Sequence, residues 1–213
     1  MQGKLTIAAL IIISYLSSCS NSDGGNQKTF CDTVCQEDSM KFKDEQNKFK
    51  PYVYISAKNC RADTLKWGYS GADKTSIAFQ KYKLNKDFTR CFINDTSYAW
   101  LMFNVCETGR GYLLKLPYSK NVQLFKSSAA LNNFDPKFSV VQGLVAYTDR
   151  GNIFVEDMAT QKKAMMTFGK GTEMDLDFIH EAIDTVNITP TRIWAKVKID
   201  GNWKEIEKNI TLK

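Results

Sequence analysis

Leu144-Val145-Ala146-Tyr147-Thr148-Asp149-Arg150-Gly151-Asn152-Ile153-Phe154-Val155-Glu156-Asp157 is two apolar, β-branched and aromatic runs separated by a turn. Asp149-Arg150-Gly151-Asn152 makes the turn, because glycine accepts the left-handed backbone that tight hairpins need. A second polar break at Ala159-Thr160-Gln161-Lys162 leads to a third run, Ala164-Met165-Met166-Thr167-Phe168. Short runs of this type, bounded by Gly, Asn and Asp, predict strands.

The same order stands roughly 40–44 residues earlier, a spacing typical of blade repeats. Trp100-Leu101-Met102-Phe103 precedes a Glu107-Thr108-Gly109-Arg110-Gly111 turn. Tyr112-Leu113-Leu114-Lys115-Leu116, a Tyr118-Ser119-Lys120-Asn121 turn and Val122-Gln123-Leu124-Phe125 follow. With Phe134-Asp135-Pro136-Lys137-Phe138 in front of it, the stretch Phe134–Phe168 resembles a blade of the WD40-like or TolB-type β-propellers. The resemblance carries no catalytic residues. It implies an all-β fold of blade-like antiparallel repeats, a small propeller-like array. A propeller usually has 4–8 blades and the chain offers only three or four such units, so a two-sheet β-sandwich is the alternative.

Further runs extend the pattern on both sides. Tyr52–Ile55, Leu65–Tyr69, Ile77–Tyr82, Thr89–Ile93 and Tyr98–Phe103 read as strands. Arg192–Ile199 and Trp203–Glu207 flank Asp200-Gly201-Asn202, a strong hairpin signal, and Ile210-Thr211-Leu212 reads as an edge strand. Asp38 to Lys50 is charged and helix-tolerant, so a short helix or an irregular lead-in is expected there, ended by Pro51. His180-Glu181-Ala182-Ile183-Asp184 reads as a short helical turn.

The N-terminus carries a different signal. Lys4 is followed by an apolar run from Leu5 to Leu16, the length of a signal-peptide core and short of the roughly 20 residues a spanning helix needs. Leu16-Ser17-Ser18-Cys19 resembles the lipobox of bacterial lipoproteins. That resemblance implies removal of residues 1–18 and acylation of Cys19, and more than one acyl chain gives stable anchoring. Residues 19–29 then form a flexible tether, since Ser20 to Gln27 offer nothing apolar to bury. The tether is similar to those of Bacteroidota lipoproteins, and Ser20 after the cysteine resembles the outer-membrane sorting pattern. A single β-rich domain is expected over 30–213, on the cell envelope at the outer membrane, facing the periplasm or the surface.

Composition sets the remaining bounds. Hydrophobic content of 43% and aromatic content of 12% suit a packed core. The net charge of +6 is spread along the chain with acidic residues between the lysines, which argues against nucleic acid, whose binders cluster charge on one stripe. Of six cysteines, Cys19 is assigned to the lipid, leaving Cys31, Cys35, Cys60, Cys91 and Cys106. The oxidising envelope permits disulfides. Cys91 and Cys106 lie on consecutive expected strands and are the first pair to consider; Cys31 or Cys35 would staple the N-terminal segment to Cys60. A metal at Cys31-x-x-x-Cys35 is disfavoured, because zinc sites come as two close pairs and often include His, and His180 is the only histidine.

Three candidate sites remain. Glu173, Asp175 and Asp177 alternate on one strand face near His180 and Glu181 and could hold calcium through hard oxygens, though no Asp-rich calcium loop is present. Trp67, Tyr69, Trp100, Trp194 and Trp203 could supply a sugar-binding platform. Asp32-Thr33-Val34, Asp38-Ser39-Met40, Asp63-Thr64-Leu65 and Asp184-Thr185-Val186 resemble the Bacteroidota O-glycosylation acceptor. No nucleophile elbow or histidine pair is visible and no cofactor is implied. The reading is a non-catalytic binding domain for an envelope protein or a glycan; the alternative is a small glycan hydrolase using paired carboxylates.

Overall fold

A computed structural model describes residues 38–70, 75–79, 82–168 and 182–213. The described residues are all-β: 61% strand and no helix. The first sheet is a meander of β1 (Met40–Lys43), β2 (Tyr52–Lys58), β3 (Arg61–Gly68) and β4 (Thr75–Ala78). The second repeats the order with β5 (Leu84–Asn94), β6 (Tyr98–Val105), β7 (Gly111–Pro117) and β8 (Phe125–Ser127). After β9 (Phe138–Val140), the third sheet is β10 (Leu144–Asp149), β11 (Asn152–Asp157) and β12 (Lys163–Thr167). The fourth is β13 (Ile183–Thr189), β14 (Arg192–Ile199) and β15 (Asn202–Asn209), with β9 added in parallel beside β13.

Three apolar clusters join these sheets in series. Val53, Ile55, Leu65 and Trp67 of the first sheet meet Ala99, Leu101, Phe103 and Leu116 of the second. Tyr98, Trp100 and Leu113 of the second meet Val145 and Tyr147 of the third. Leu144, Ala146, Ile153 and Val155 of the third meet Val186, Ile188, Ile193, Ala195 and Val197 of the fourth. No such cluster joins the first sheet to the fourth among the described residues. The arrangement is therefore four small sheets packed face on face in series, each neighbouring pair a two-sheet sandwich, with no core among the described residues on the outer face of the first or the fourth.

Strand β6 shows how sequence gives this order. Successive side chains point to opposite faces of a sheet. Ala99, Leu101 and Phe103 enter one cluster while Tyr98 and Trp100 enter the next. A strand covered on both sides must be apolar throughout, which is why Trp100-Leu101-Met102-Phe103 does not alternate. On β14 the neighbour lies on one side only, and Ile193, Ala195, Val197 and Ile199 are buried while Arg192, Trp194, Lys196 and Lys198 are not.

Polar bonds lock the interfaces. Trp67 donates its ring N–H to the Pro117 carbonyl at 2.7 Å, and Tyr98 donates its hydroxyl to the Met158 carbonyl at 2.6 Å. Glu156 is 2% exposed and accepts from Lys115 at 2.7 Å and Lys163 at 2.9 Å. The Lys115 ammonium also stands 4.6 Å from the Tyr98 ring centroid and 5.0 Å from that of Trp100. Gly111 is set by close approach: a Cβ there would come within 2.3 Å of the Ala130 carbonyl oxygen.

Several expectations are corrected. Asp38–Lys50 holds no helix; Met40–Lys43 forms β1, because Met40 is buried and the strand pairs antiparallel with Tyr52–Ile55. Ile183 and Asp184 open strand β13 rather than closing a helical turn, since the β-branched residues Ile183, Val186 and Ile188 fill the last core. Ile210–Leu212 is not a strand, yet Lys213 exchanges both backbone bonds with Lys163 at the edge of β12.

Candidate functional site

The fourth sheet closes the array, so its outward face meets solvent. Residues opposite each other on antiparallel strands share a face. Asn187, Trp194 and Glu207 therefore form one rung, and Thr185, Lys196 and Glu205 the next. Trp203 lies opposite Lys198, four residues from Trp194, or about 13 Å along the strand. Trp203 is 49% exposed and Trp194 is half-buried. Beside Trp194 lies a shallow depression of about 320 Å³ bounded by Lys137, Ser139, Thr185 and Asn187.

The charges nearest Trp194 are paired. Arg192 reaches Glu207 at 3.5 Å and Lys196 reaches Asp184 at 3.2 Å. The Lys196 ammonium, and after it the Thr185 hydroxyl, holds the Asp184 carboxyl below its usual range. Lys196 also stands 6.0 Å from the Trp203 ring centroid. The result is two indole faces set among amide, hydroxyl and paired ionic groups. Such a surface can stack against the apolar face of a sugar ring and hydrogen-bond its hydroxyls.

The structure sorts the five expected aromatics. Trp67 (2% exposed) and Trp100 (0%) are core. Tyr69 packs edge-on between Phe49 at 5.9 Å and Tyr118 at 5.8 Å. Only Trp194 and Trp203 share one solvent face. Sequence reasoning missed Thr185 and Asn187, which flank them, because β13 was not read as a strand; the β-branched spacing of Ile183, Val186 and Ile188 was the available signal.

The expected Cys91–Cys106 disulfide is not formed. Cys91 is paired across β5–β6 with Leu101, five residues before Cys106, about 16 Å along the strand. A disulfide needs Cα atoms within about 7 Å. Cys60 is disulfide-bonded, and its partner lies outside the described residues. It occupies the Asn59-Cys60 turn of the β2–β3 hairpin at φ +60°. Glycine would be the unstrained residue there, so a cysteine is held against its own backbone preference.

Cys19, Cys31 and Cys35, and the acidic group Glu173, Asp175, Asp177, His180 and Glu181, lie outside the described residues. Among the described residues no group of three or more His, Cys, Asp or Glu side chains could hold a metal ion. Of the glycosylation triplets, Asp32-Thr33-Val34 lies outside. Ser39 is exposed and accepts a bond from the Tyr54 hydroxyl at 2.9 Å. Thr64 and Thr185 sit within strands β3 and β13.

Compared with known proteins, the chain matches no family model, and no curated protein and no solved structure gives a significant match.

Proposed function

We propose that this chain is a lipid-anchored cell-envelope protein whose β-rich domain binds a glycan on the outward face of its fourth sheet. The observation that carries the binding reading is the Trp194–Trp203 face: two accessible indoles on one rigid sheet, spaced for an oligosaccharide rather than a single ring, with Asn187, Thr185 and Glu207 beside them. Glu205 stands on the open face, and Glu207, at the shallow depression beside Trp194, is engaged by Arg192; this favours binding over hydrolysis by paired carboxylates. The anchor rests on the likeness of Leu16–Cys19 to a lipobox.

The test is a panel of neutral and acidic envelope polysaccharides titrated against the mature chain, followed by tryptophan fluorescence. Binding is expected, weakened at least tenfold in Trp194→Ala and Trp203→Ala, with no loss in Trp67→Phe. Failure of every glycan to bind, together with capture of one envelope protein by cross-linking through this face, would replace the glycan by a protein partner. The anchor is tested separately, by intact mass of the native protein and its Cys19→Ser variant.

A further inference from the structure

The first sheet closes the other end of the array, and its outward face has a different chemistry. Lys41, Tyr54, Lys66 and Ser76 form one rung across four strands. Lys43, Tyr52 and Gly68 form the next. Tyr52 lies across Gly68, where an added Cβ would stand 3.2 Å from the tyrosine hydroxyl oxygen. Both tyrosines are half-buried against the sheet and the three lysines are exposed. Lys43 is neutralised by Glu45 at 2.9 Å. Lys41 and Lys66 face solvent with no ion pair among the described residues.

Lysine ammonium groups beside tyrosine rings are the combination that suits a lipid headgroup region. The amphipathic ring sits at headgroup depth, and each lysine near an anionic bilayer contributes about 1 kcal/mol of attraction. Geometry adds a second argument. β1 begins at Met40, 21 positions after Cys19. A stretch of that length reaches at most about 75 Å when fully extended, so an anchor at Cys19 would keep this sheet, the first in chain order, near the bilayer. We propose that the Lys41–Tyr54–Lys66 face docks on the anionic phospholipid headgroups of the leaflet that holds the chain. The proposal rests on the anchor reading above and orients the domain. The Trp194–Trp203 face belongs to the sheet at the other end of the series of shared cores.

The experiment uses the full mature chain as Cys19→Ser, so that no acyl chain contributes, with vesicles of phosphatidylglycerol in phosphatidylcholine and vesicles of phosphatidylcholine alone. Co-sedimentation with the anionic vesicles only is expected. It should fall as salt rises from 0.1 M to 1 M and the screening length shrinks from about 10 Å to about 3 Å. Lys41→Ala/Lys66→Ala should weaken binding roughly 30-fold, which is about 1 kcal/mol per lysine at 1.36 kcal/mol per tenfold. Lys198→Ala/Lys204→Ala, on the fourth sheet, should leave it unchanged. Equal binding to both vesicles, binding to neither, or an equal loss in the fourth-sheet variant would overturn the docking face. Absence of acylation in the native protein would instead remove the anchor and leave the vesicle result standing.

Discussion

The middle sheets and the end sheets of this molecule are built from similar strands but solve different problems. The second and third sheets are covered on both faces, so β6 has seven of its eight residues buried and β10 five of six. The first and fourth are covered on one face, and their strands alternate. A residue on a middle sheet is committed to packing whatever its type; Trp100 is fully buried although its ring N–H finds no acceptor among the described residues. A residue on an end sheet keeps one face free for recognition. The same side chain therefore carries stability at Trp100 and binding at Trp203. The two ends differ in turn: among the described residues Lys41 and Lys66 form no ion pair, while Arg192 and Lys196 beside Trp194 are paired with Glu207 and Asp184.

The comparison breaks most severely at the middle junction. Trp100→Ala should cost about 3–5 kcal/mol, the loss seen when a buried indole leaves a cavity, lowering Tm by roughly 10 °C. Trp100→Phe keeps most of the ring and removes the orphan donor, so it should cost less than half as much. Calorimetry on both variants checks this; equal losses would mean that the N–H has a partner. Next in size is Glu156→Ala, which leaves the Lys115 ammonium half-buried without its carboxylate and should cost about 3 kcal/mol. Lys115→Met/Glu156→Leu should recover part of that loss, because apolar replacement of a buried pair is often neutral. Denaturant midpoints would show it; no recovery would mean that the pair is net stabilising.

How far the sequence reveals this division depends on the element. Leu144–Phe168 reads directly as β10–β12 because its turns sit where its runs end, and Asp200-Gly201 places the β14–β15 hairpin. Strand β1 is hidden because only Met40 of Met40–Lys43 is fully buried, which leaves its two lysines to dominate the composition. Strand β9 is hidden because its parallel partner lies more than forty residues away, beyond any local pattern. The candidate site was half legible. Trp194 and Trp203 stand out as aromatic, as do Trp67 and Trp100, but only the order of the sheets tells which faces stay open. Cys91 and Cys106 sit on neighbouring strands as their spacing suggests, and the register alone keeps them apart.

High pH probes the covered faces with a smaller effect. Burial pushes the Cys91 thiol up to about 12, and burial, then the charges of Glu156 and Asp149, pushes the Tyr147 hydroxyl up to about 12. In the unfolded chain these groups release their protons near about 8.5 and 10. Their folded-state stabilisation is therefore complete below about pH 8.5 and is lost progressively as pH rises towards 12. Denaturant midpoints should be flat from neutral pH to about 8.5 and then decline. Cys91→Ala should flatten the first part of that decline and Tyr147→Phe the later part. A variant that declines as steeply as the parent would show that its group titrates normally in the fold.

The smallest effect is expected at the open ends. Trp203 buries about half of its surface, and the Lys196 ammonium stands 6.0 Å from its ring centroid. Trp203→Ala should therefore stay within about 0.5 kcal/mol of the parent, as surface substitutions do, while reducing glycan binding. Trp194, half-buried between Asn187 and Glu207, should cost somewhat more on truncation. The contrast with Trp100 is then a ratio of about six or more between indoles in sheets of the same kind. A Trp203→Ala loss above about 1 kcal/mol would mean that this face is covered in solution, by another part of the chain or by a second copy. Concentration-dependent sedimentation of parent and variant separates the two: a second copy makes the loss fall with dilution, and an intramolecular cover does not.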